Sequence, residues 1–250
     1  MASQEFELEI ASKGNVGDDM RSYADQKIRR VAAFSPRSVI HGRVALTVHE
    51  NPSVERPVSA KANLQLSGRR VRAHVAATTL REAIDRLEAR LQRQLEILAE
   101  RREARRHETG VATEGAWRHG AVSAHRPSWY PRPEQEREIL RSKTFEVGEQ
   151  TVKDAVLDME LLDHDFHLFA NADTGRDAVV YRTDEGAVEL LETAPEETLT
   201  QAIERLEATR GRFVFFRNAE TQRGNVLYHR YDGHYGLITP AGAAELGPGG

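Results

Sequence analysis

The chain contains no cysteine, which excludes a disulfide framework, a thiolate metal site and a cysteine nucleophile and fits a reducing compartment. Long apolar runs are missing too, and the start, Met1 to Ile10, carries no basic region ahead of an apolar stretch. The reading is a cytoplasmic protein with neither a membrane span nor a secretory signal. No glycine-rich phosphate loop, Ser/His/Asp arrangement or paired-carboxylate site emerges, which argues against an enzyme, a cofactor and a small-molecule substrate. His164 with His167, and His229 with His234, fit no strong ligand spacing, so no metal is expected.

What is present is unevenly distributed. The net charge of -4 hides 20 Lys+Arg against 14 Asp+Glu in residues 1–106, and 15 against 25 in residues 107–250. The halves are +6 and -10, which points to a polyanion as partner of the first half and to another purpose for the second. A chain of 250 residues accommodates two domains of ordinary size.

In the first half, Phe6, Leu8 and Ile10 alternate with glutamates, and the same period of two returns at Val44–Val48, Val58–Leu66 and Val71–Ala77. These are four strands, the last two separated by a Ser67-Gly68 turn. Met20, Tyr23, Ala24, Ile28 and Val31 recur at helical spacing, and a longer helix begins at the capping box Thr79-Leu80-Arg81-Glu82 and runs through Ile84, Leu87, Leu91, Leu95 and Leu98. The order β-α-β-β-β-α predicts an α+β domain over residues 1–106, with both helices on one face of a four-stranded antiparallel sheet and the other face wet. Its last five elements echo the layout of double-stranded-RNA-binding domains, and layout alone assigns no function.

Residues 107–138 lose all periodicity, and Gly110, Gly115, Gly120, Pro127, Pro131 and Pro133 puncture them, as in a flexible linker. Trp117, Trp129 and Tyr130 are unusual there: they either dock on a partner or pack back on a neighbouring domain. Beyond the linker the chain repeats itself. Phe166–Leu191 matches Phe213–Ile238 without gaps at an offset of 47 residues, with ten of 26 positions identical, which is the signature of a duplicated unit. Each copy reads as a helix, an aromatic strand, an Asn-Ala-(Asp/Glu)-Thr turn and two further strands, giving modules at 139–192 and 193–250. A unit this small buries too little apolar surface to stand alone, so the two tandem β-rich modules are expected to form a pseudo-dimer. The expected pairing core comprises Phe166, Phe169, Val179 and Tyr181 with Phe213, Phe216, Val226, Tyr228 and Tyr235. Read singly, the same rings are stacking platforms for single-stranded nucleic acid, but their acidic setting and the modules' need for aromatic bulk favour the structural role.

The stretches Ile139-Leu-Arg-Ser-Lys-Thr-Phe145, Met159-Glu-Leu-Leu-Asp-His-Asp-Phe166 and Tyr228-His-Arg-Tyr-Asp-Gly-His-Tyr-Gly-Leu-Ile238 resemble the C-terminal signature of the long-form ribosome hibernation promoting factor family. The β-α-β-β-β-α order and Arg90-Leu-Gln-Arg-Gln-Leu95 are similar to that family's ribosome-binding domain. The resemblance implies a domain that occupies the decoding region of the small ribosomal subunit, overlaps the mRNA and tRNA sites and silences translation under stress. The family commonly carries one C-terminal module, which self-associates and joins two ribosomes. This chain carries two, and Val188-Glu-Leu-Leu191 replaces the Tyr-Gly-Leu-Ile ending in the first. The duplicated form resembles the type associated with hypoxia and dormancy in actinobacteria, and it implies single ribosomes in place of ribosome dimers.

The candidate rRNA-binding residues follow from charge placement. At about 100° per residue, Arg86, Arg90, Arg93 and Arg101 fall within an arc of roughly 80° beside the leucine seam, while the acidic residues of that helix gather on the other flank. Such segregation favours a one-sided anionic partner over a solvated face, whose charges normally intermix. Lys27 and Arg30 extend this surface from the first helix, and Arg21 matches a basic position of the family. Guanidinium groups suit phosphate oxygens without a base-specific code. Arg69, Arg70 and Arg72 form a second cluster, explained by phosphate contact or by an edge-strand solubility device. The competing reading is a stress-responsive module that acts on a protein partner through the acidic repeats.

Overall fold

Alternation of apolar and polar residues builds the first sheet. The computed structural model describes residues 6–48, 57–107, 133–145, 148–230 and 233–241; the aromatic residues Trp117, Trp129 and Tyr130 fall outside the described residues. The described chain divides into two units, the first gathering residues 6–107 with Leu157–His164, the second holding the rest.

In the first unit, β1 (Glu7–Lys13), β2 (Val39–Val48), β3 (Val58–Leu66) and β4 (Arg69–Ala77) form one sheet in the order β1-β2-β3-β4. The expectation of an all-antiparallel sheet is corrected: β1 and β2 run parallel, Ile10 opposite Val44. The helix α1 (Asp18–Ala33) supplies the crossover that a parallel pair requires. The other two pairings are antiparallel, with Ala62 opposite Val44 and Ala73. One face of the sheet is buried through Val44, Leu46, Ala60, Ala62, Leu64, Val71, Ala73 and Val75. Against it lie Ala24, Ile28 and Val31 of α1 and the seam Ile84, Leu87, Leu91, Leu95 and Leu98 of α2 (Leu80–His107). Each such leucine contributes roughly 1.5–3 kcal/mol by burial, and that sum, more than propensity, holds a 28-residue helix in register.

Thr79 caps α2 through its hydroxyl, which accepts the Glu82 N–H at 3.2 Å, while the Glu82 carboxylate accepts the Thr78 N–H at 3.0 Å. Leu157 and Leu161 join the same core. Two side chains close the outer edge of β4: the His74 N–H donates to the Asp163 carboxylate at 2.9 Å, and the Gln94 side-chain amide bridges the carbonyls of Arg72 and Glu160. An edge strand left bare would template further pairing.

The second unit carries the repeat, apart from Leu157–His164 of the first copy, which belongs to the first unit. One set runs β6 (Glu149–Gln150), α3 (Val152–Leu161), β7 (Phe166–Asn171), β8 (Asp177–Arg182) and β9 (Val188–Leu191). The other, 47 residues on, runs β10 (Glu196–Glu197), α4 (Leu199–Thr209), β11 (Phe213–Asn218), β12 (Gly224–His229) and β13 (Tyr235–Pro240). The sheets are β6-β7-β8-β9 and β10-β11-β12-β13-β5, the fifth strand being β5 (Ile139–Phe145), parallel to β13. This strand, inside the range read as the first module, therefore completes the sheet of the second.

The two copies pair within one chain. Phe166, Leu168, Val179, Tyr181 and Leu191 of one set meet Phe213, Phe215, Val226 and Ile238 of the other in a shared core. Its rings obey the repeat: Phe166 and Phe213 lie 4.8 Å apart between centroids, Phe166 and Tyr228 5.4 Å, and Tyr181 and Phe213 5.5 Å. Placement of Phe216 and Tyr235 in that core is corrected. Both belong to a separate cluster with Ala202 and Leu206 of α4: Phe216 lies three positions from Phe213, and Tyr235 pairs with His229, one position out of phase with Tyr228, so both take the other face of the sheet. Phe169, buried at 1% exposure, sits three positions from Phe166 and follows the same parity. Leu168 and Phe215 take the places expected of Phe169 and Phe216.

Candidate nucleic-acid interface

The basic residues of the first unit divide by face. Period-two placement puts Arg43, Lys61, Arg70 and Arg72 in phase with one another and out of phase with Val44, Ala60, Ala62 and Val71. They line the open side of the sheet, where Arg43 pairs across to Asn63 and Asn63 to Arg72, and Lys61 to His74. Arg70 and Arg72 are exposed, and Arg70 donates to the Gln65 side chain at 3.0 Å. Burial, and then the nearby Arg72 guanidinium, push the Lys61 ammonium below its ordinary 10.5. Crowded cations of this kind are relieved by an anion. Arg43 and Lys61 were not among the residues singled out from the sequence. Their signal was available in the strand phase, since each faces opposite to its buried neighbours.

Arg69 does not share this surface. One position out of phase with Arg70, it pairs with Asp158, so the cluster Arg69, Arg70 and Arg72 is split between the two sides of β4.

On the helical side, four of the candidate cations are engaged with carboxylates. Lys27 lies between Glu88 at 2.5 Å and Asp85 at 3.0 Å; the hydrogen bonds it donates to Glu88 and then to Asp85 hold its ammonium well above the ordinary value. It ties α1 to α2. Asp85 also accepts the Tyr23 hydroxyl at 2.7 Å, which with Lys27 holds its carboxyl below the usual range. Arg90 binds Asp163, whose side chain is 4% exposed. Arg86 donates to the Ala76 carbonyl at 3.0 Å and pairs with Glu82 at 2.6 Å. Arg21 pairs with Asp18 at 3.0 Å in the first turn of α1. Arg30 and Arg93 are exposed, Arg101 is half-buried, and none of the three makes an ion pair among the described residues. The arrangement can therefore offer two sets of phosphate donors: Arg30, Arg93 and Arg101 on the helices, and Lys61, Arg70 and Arg72 on the open sheet, beside Arg43, which pairs with Glu9 at 3.5 Å.

In the second unit the aromatic rings Phe166, Tyr181, Phe213 and Tyr228 face one another, an arrangement that serves packing. The unit's polar network centres on Glu207, which pairs with Arg137, accepts the Tyr235 hydroxyl at 2.5 Å and lies 3.8 Å from His229. Burial, then the bond to Glu207, push the Tyr235 hydroxyl up to about 12. Among the described residues no group of three or more His, Asp or Glu side chains could hold a metal ion.

A second feature sits where the two copies meet. Asp177 and Gly224 occupy the same repeat position, 47 residues apart, and each is the first residue of its strand. The Gly224 N–H donates to Asp177 at 2.8 Å, and the Arg223 guanidinium embraces the same carboxylate at 2.8 and 3.0 Å. A Cβ on Gly224 would come within 2.6 Å of the Asp177 Cβ.

The model of the Sigma 54 modulation protein / S30EA ribosomal protein family matches residues 8–103, and the model of that family's C terminus matches twice, over residues 134–190 and 193–237. The chain belongs to this family, in the long form represented by the ribosome hibernation promotion factors, with the C-terminal module duplicated. The ribosome hibernation promotion factor of Deinococcus radiodurans is 30% identical over 187 residues, 70% of this chain and 92% of that protein. The factor of Lactococcus lactis subsp. cremoris is 28% identical over 180 residues, 71% of this chain and 93% of that protein. Among solved structures, the Protein Y N-terminal domain of Thermus thermophilus matches 37% of this chain and 99% of its own, at 21% identity and a TM-score of 0.31.

Proposed function

We propose that this protein is a non-enzymatic translation silencer of the cytoplasm that acts in ribosome hibernation, and that it holds single ribosomes. Membership of the family supports the hibernation role. In this reading the first unit binds small-subunit rRNA at the decoding region through phosphate contacts from Arg30, Arg72, Arg93 and Arg101, with Arg43 and Lys61 as additions, and so blocks the mRNA and tRNA sites during stress such as hypoxia or dormancy. Shape and charge suffice for such binding.

The pairing of Asp177 with Gly224 and Arg223 carries the single-ribosome part of the reading. A module that joined an identical module from another chain would set two Asp177 carboxylates, or two Gly224 residues, at one point. The first arrangement is repulsive and the second leaves Arg223 without its carboxylate. The mixed pair within one chain satisfies both copies. Tethering adds to this, since a short connection provides an effective concentration of order mM, against roughly µM for free chains, an advantage of about 4 kcal/mol.

Sedimentation of ribosomes on a density gradient, with and without the intact protein, tests the proposal. The protein is expected to co-migrate with single ribosomes and to suppress translation there. Abundant ribosome dimers would overturn the single-ribosome reading, and absence from the ribosomal fractions would overturn the whole.

A further inference from the structure

The described residues of the first unit include three Phe and Tyr rings, and two of them are covered. Phe6, 8% exposed, packs into the core with the Arg29 guanidinium 5.4 Å from its ring centre. Tyr23 is half-buried, with the Arg81 guanidinium at 4.6 Å and the Lys27 ammonium at 5.3 Å. Phe34 is 76% exposed, and among the described residues no other ring and no cation is stacked on it. Its backbone is nonetheless fixed. Phe34 ends α1, its N–H donating to the Val31 carbonyl at 3.0 Å and that of Ser35 to the Ala32 carbonyl at 3.1 Å, and Pro36 restricts the turn that follows.

The setting of this ring is cationic. From Gln26 to Val48 the chain has five Lys and Arg and no Asp or Glu. Lys27 and Arg29 are engaged by carboxylates from outside that stretch. Arg30, one helical turn before Phe34, is exposed and makes no ion pair among the described residues. Arg37 donates to the Ser67 carbonyl at 2.6 Å, and Arg102, arriving from α2, donates to the Pro36 carbonyl at 2.5 Å. Carbonyl acceptors hold these two guanidinium groups at the turn without neutralising them, and each keeps further N–H donors for a second partner. An exposed aromatic face among uncompensated cations suits an unpaired nucleotide, whose base stacks on the ring while its phosphates take the guanidinium groups. A protein partner suits it less, because a stable interface covers roughly 800 Å² on each side and one ring supplies a small part of that. We infer that Phe34 is a base-stacking residue that receives one unpaired base of the small-subunit rRNA, with Arg30, Arg37 and Arg102 on the flanking phosphates. The inference rests on the reading of the first unit as rRNA-binding, and it adds a contact that depends on an unpaired base and not on charge.

The test uses the full-length protein and isolated small ribosomal subunits, with affinity measured by filter binding over a range of salt concentrations. Phe34→Ala is expected to weaken binding about 5- to 150-fold. The slope of log affinity against log salt is expected to stay unchanged in that variant, because a stacked base releases no counterion, whereas Arg30→Ala and Arg37→Ala are each expected to flatten it by ~0.7–0.9. Phe34→Trp and Phe34→Tyr, which keep an aromatic face, are expected to bind as the unaltered chain does. Phe34→Leu, which keeps apolar bulk alone, is expected to share the loss seen with Ala. An unchanged urea midpoint for Phe34→Ala shows that the loss is not one of folding; should that midpoint shift, the contrast of Leu with Trp decides the matter. Full affinity in Phe34→Ala overturns the inference and leaves rRNA binding standing. So does full affinity in Phe34→Leu, the mark of an apolar protein contact, and so does a flattened salt slope in Phe34→Ala, which would mean that the ring only positions the arginines. Failure of the unaltered chain to bind the subunit overturns the rRNA reading and the inference with it.

Discussion

Asp177 accepts the backbone N–H of Gly224, its own counterpart in the repeat, at 2.8 Å. Two residues that descend from one position have become complementary, one keeping a carboxylate and the other losing its side chain. Gly224 has no space for a Cβ against Asp177 and Phe215. Gly224→Asp is therefore expected to destabilise the second unit by at least about 2 kcal/mol, through overlap and like charge. Adding Asp177→Gly to that variant exchanges the two roles, with Arg176 at the repeat position of Arg223, and is expected to restore a large part of the loss. Urea unfolding of the four chains of this cycle measures the coupling; strict additivity would show that the pair does not hold the copies together.

The candidate cations are expected to separate into two classes. Arg72→Ala with Arg93→Ala should flatten the salt dependence of ribosome binding by about 1.4–1.8 in slope, at ~0.7–0.9 per phosphate contact, while each alone changes folding stability by no more than about 0.5 kcal/mol. Arg90→Ala should do the reverse. It leaves the buried Asp163 carboxylate without its guanidinium and is expected to cost about 3 kcal/mol of folding stability. Filter-binding titrations across ionic strength, paired with denaturant melts, separate the classes; an unchanged slope would remove Arg72 and Arg93 from the interface.

Acid is expected to loosen the second unit in two stages. Burial holds the His229 imidazole below its ordinary 6.5, with Glu207 opposing and Arg137 reinforcing the shift. The unfolded chain then takes up this proton more readily than the folded one, so the contribution is whole above pH 6.5 and is lost as pH falls from 6.5 toward the folded value. For Glu207, burial pushes the carboxyl up, but the hydrogen bonds from Arg137 and Tyr235 outweigh it and leave the value below 4.5. That contribution is whole above pH 4.5 and is lost below it. Melting temperatures should accordingly begin a first fall as pH drops below 6.5, and His229→Gln should abolish this first fall while retaining the second. A first stage that survives His229→Gln would assign it to another group.

Much of the architecture was legible in residue order because local periodicity alone decides which face a side chain takes. The seam from Ile84 to Leu98 and the alternation of Val44 and Leu46 named the first core. The 47-residue offset likewise named the second unit's paired strands, and Phe166, Tyr181, Phe213 and Tyr228 as its aromatic centre. The parallel sense of β1 and β2 was not legible, since alternation is the same in either direction, and it was fixed by the passage of α1 across the sheet. Nor was the fate of individual cations. Lys27 finds Glu88 across 61 residues and Arg90 finds Asp163 across 73, and the same arginine spacing would read identically had those carboxylates packed elsewhere. The attachment of β5 to β13, almost a hundred residues on, is of the same kind: a strand's pattern tells which side it buries, whereas its neighbour is chosen by which sheet edge the folded chain brings within hydrogen-bonding reach.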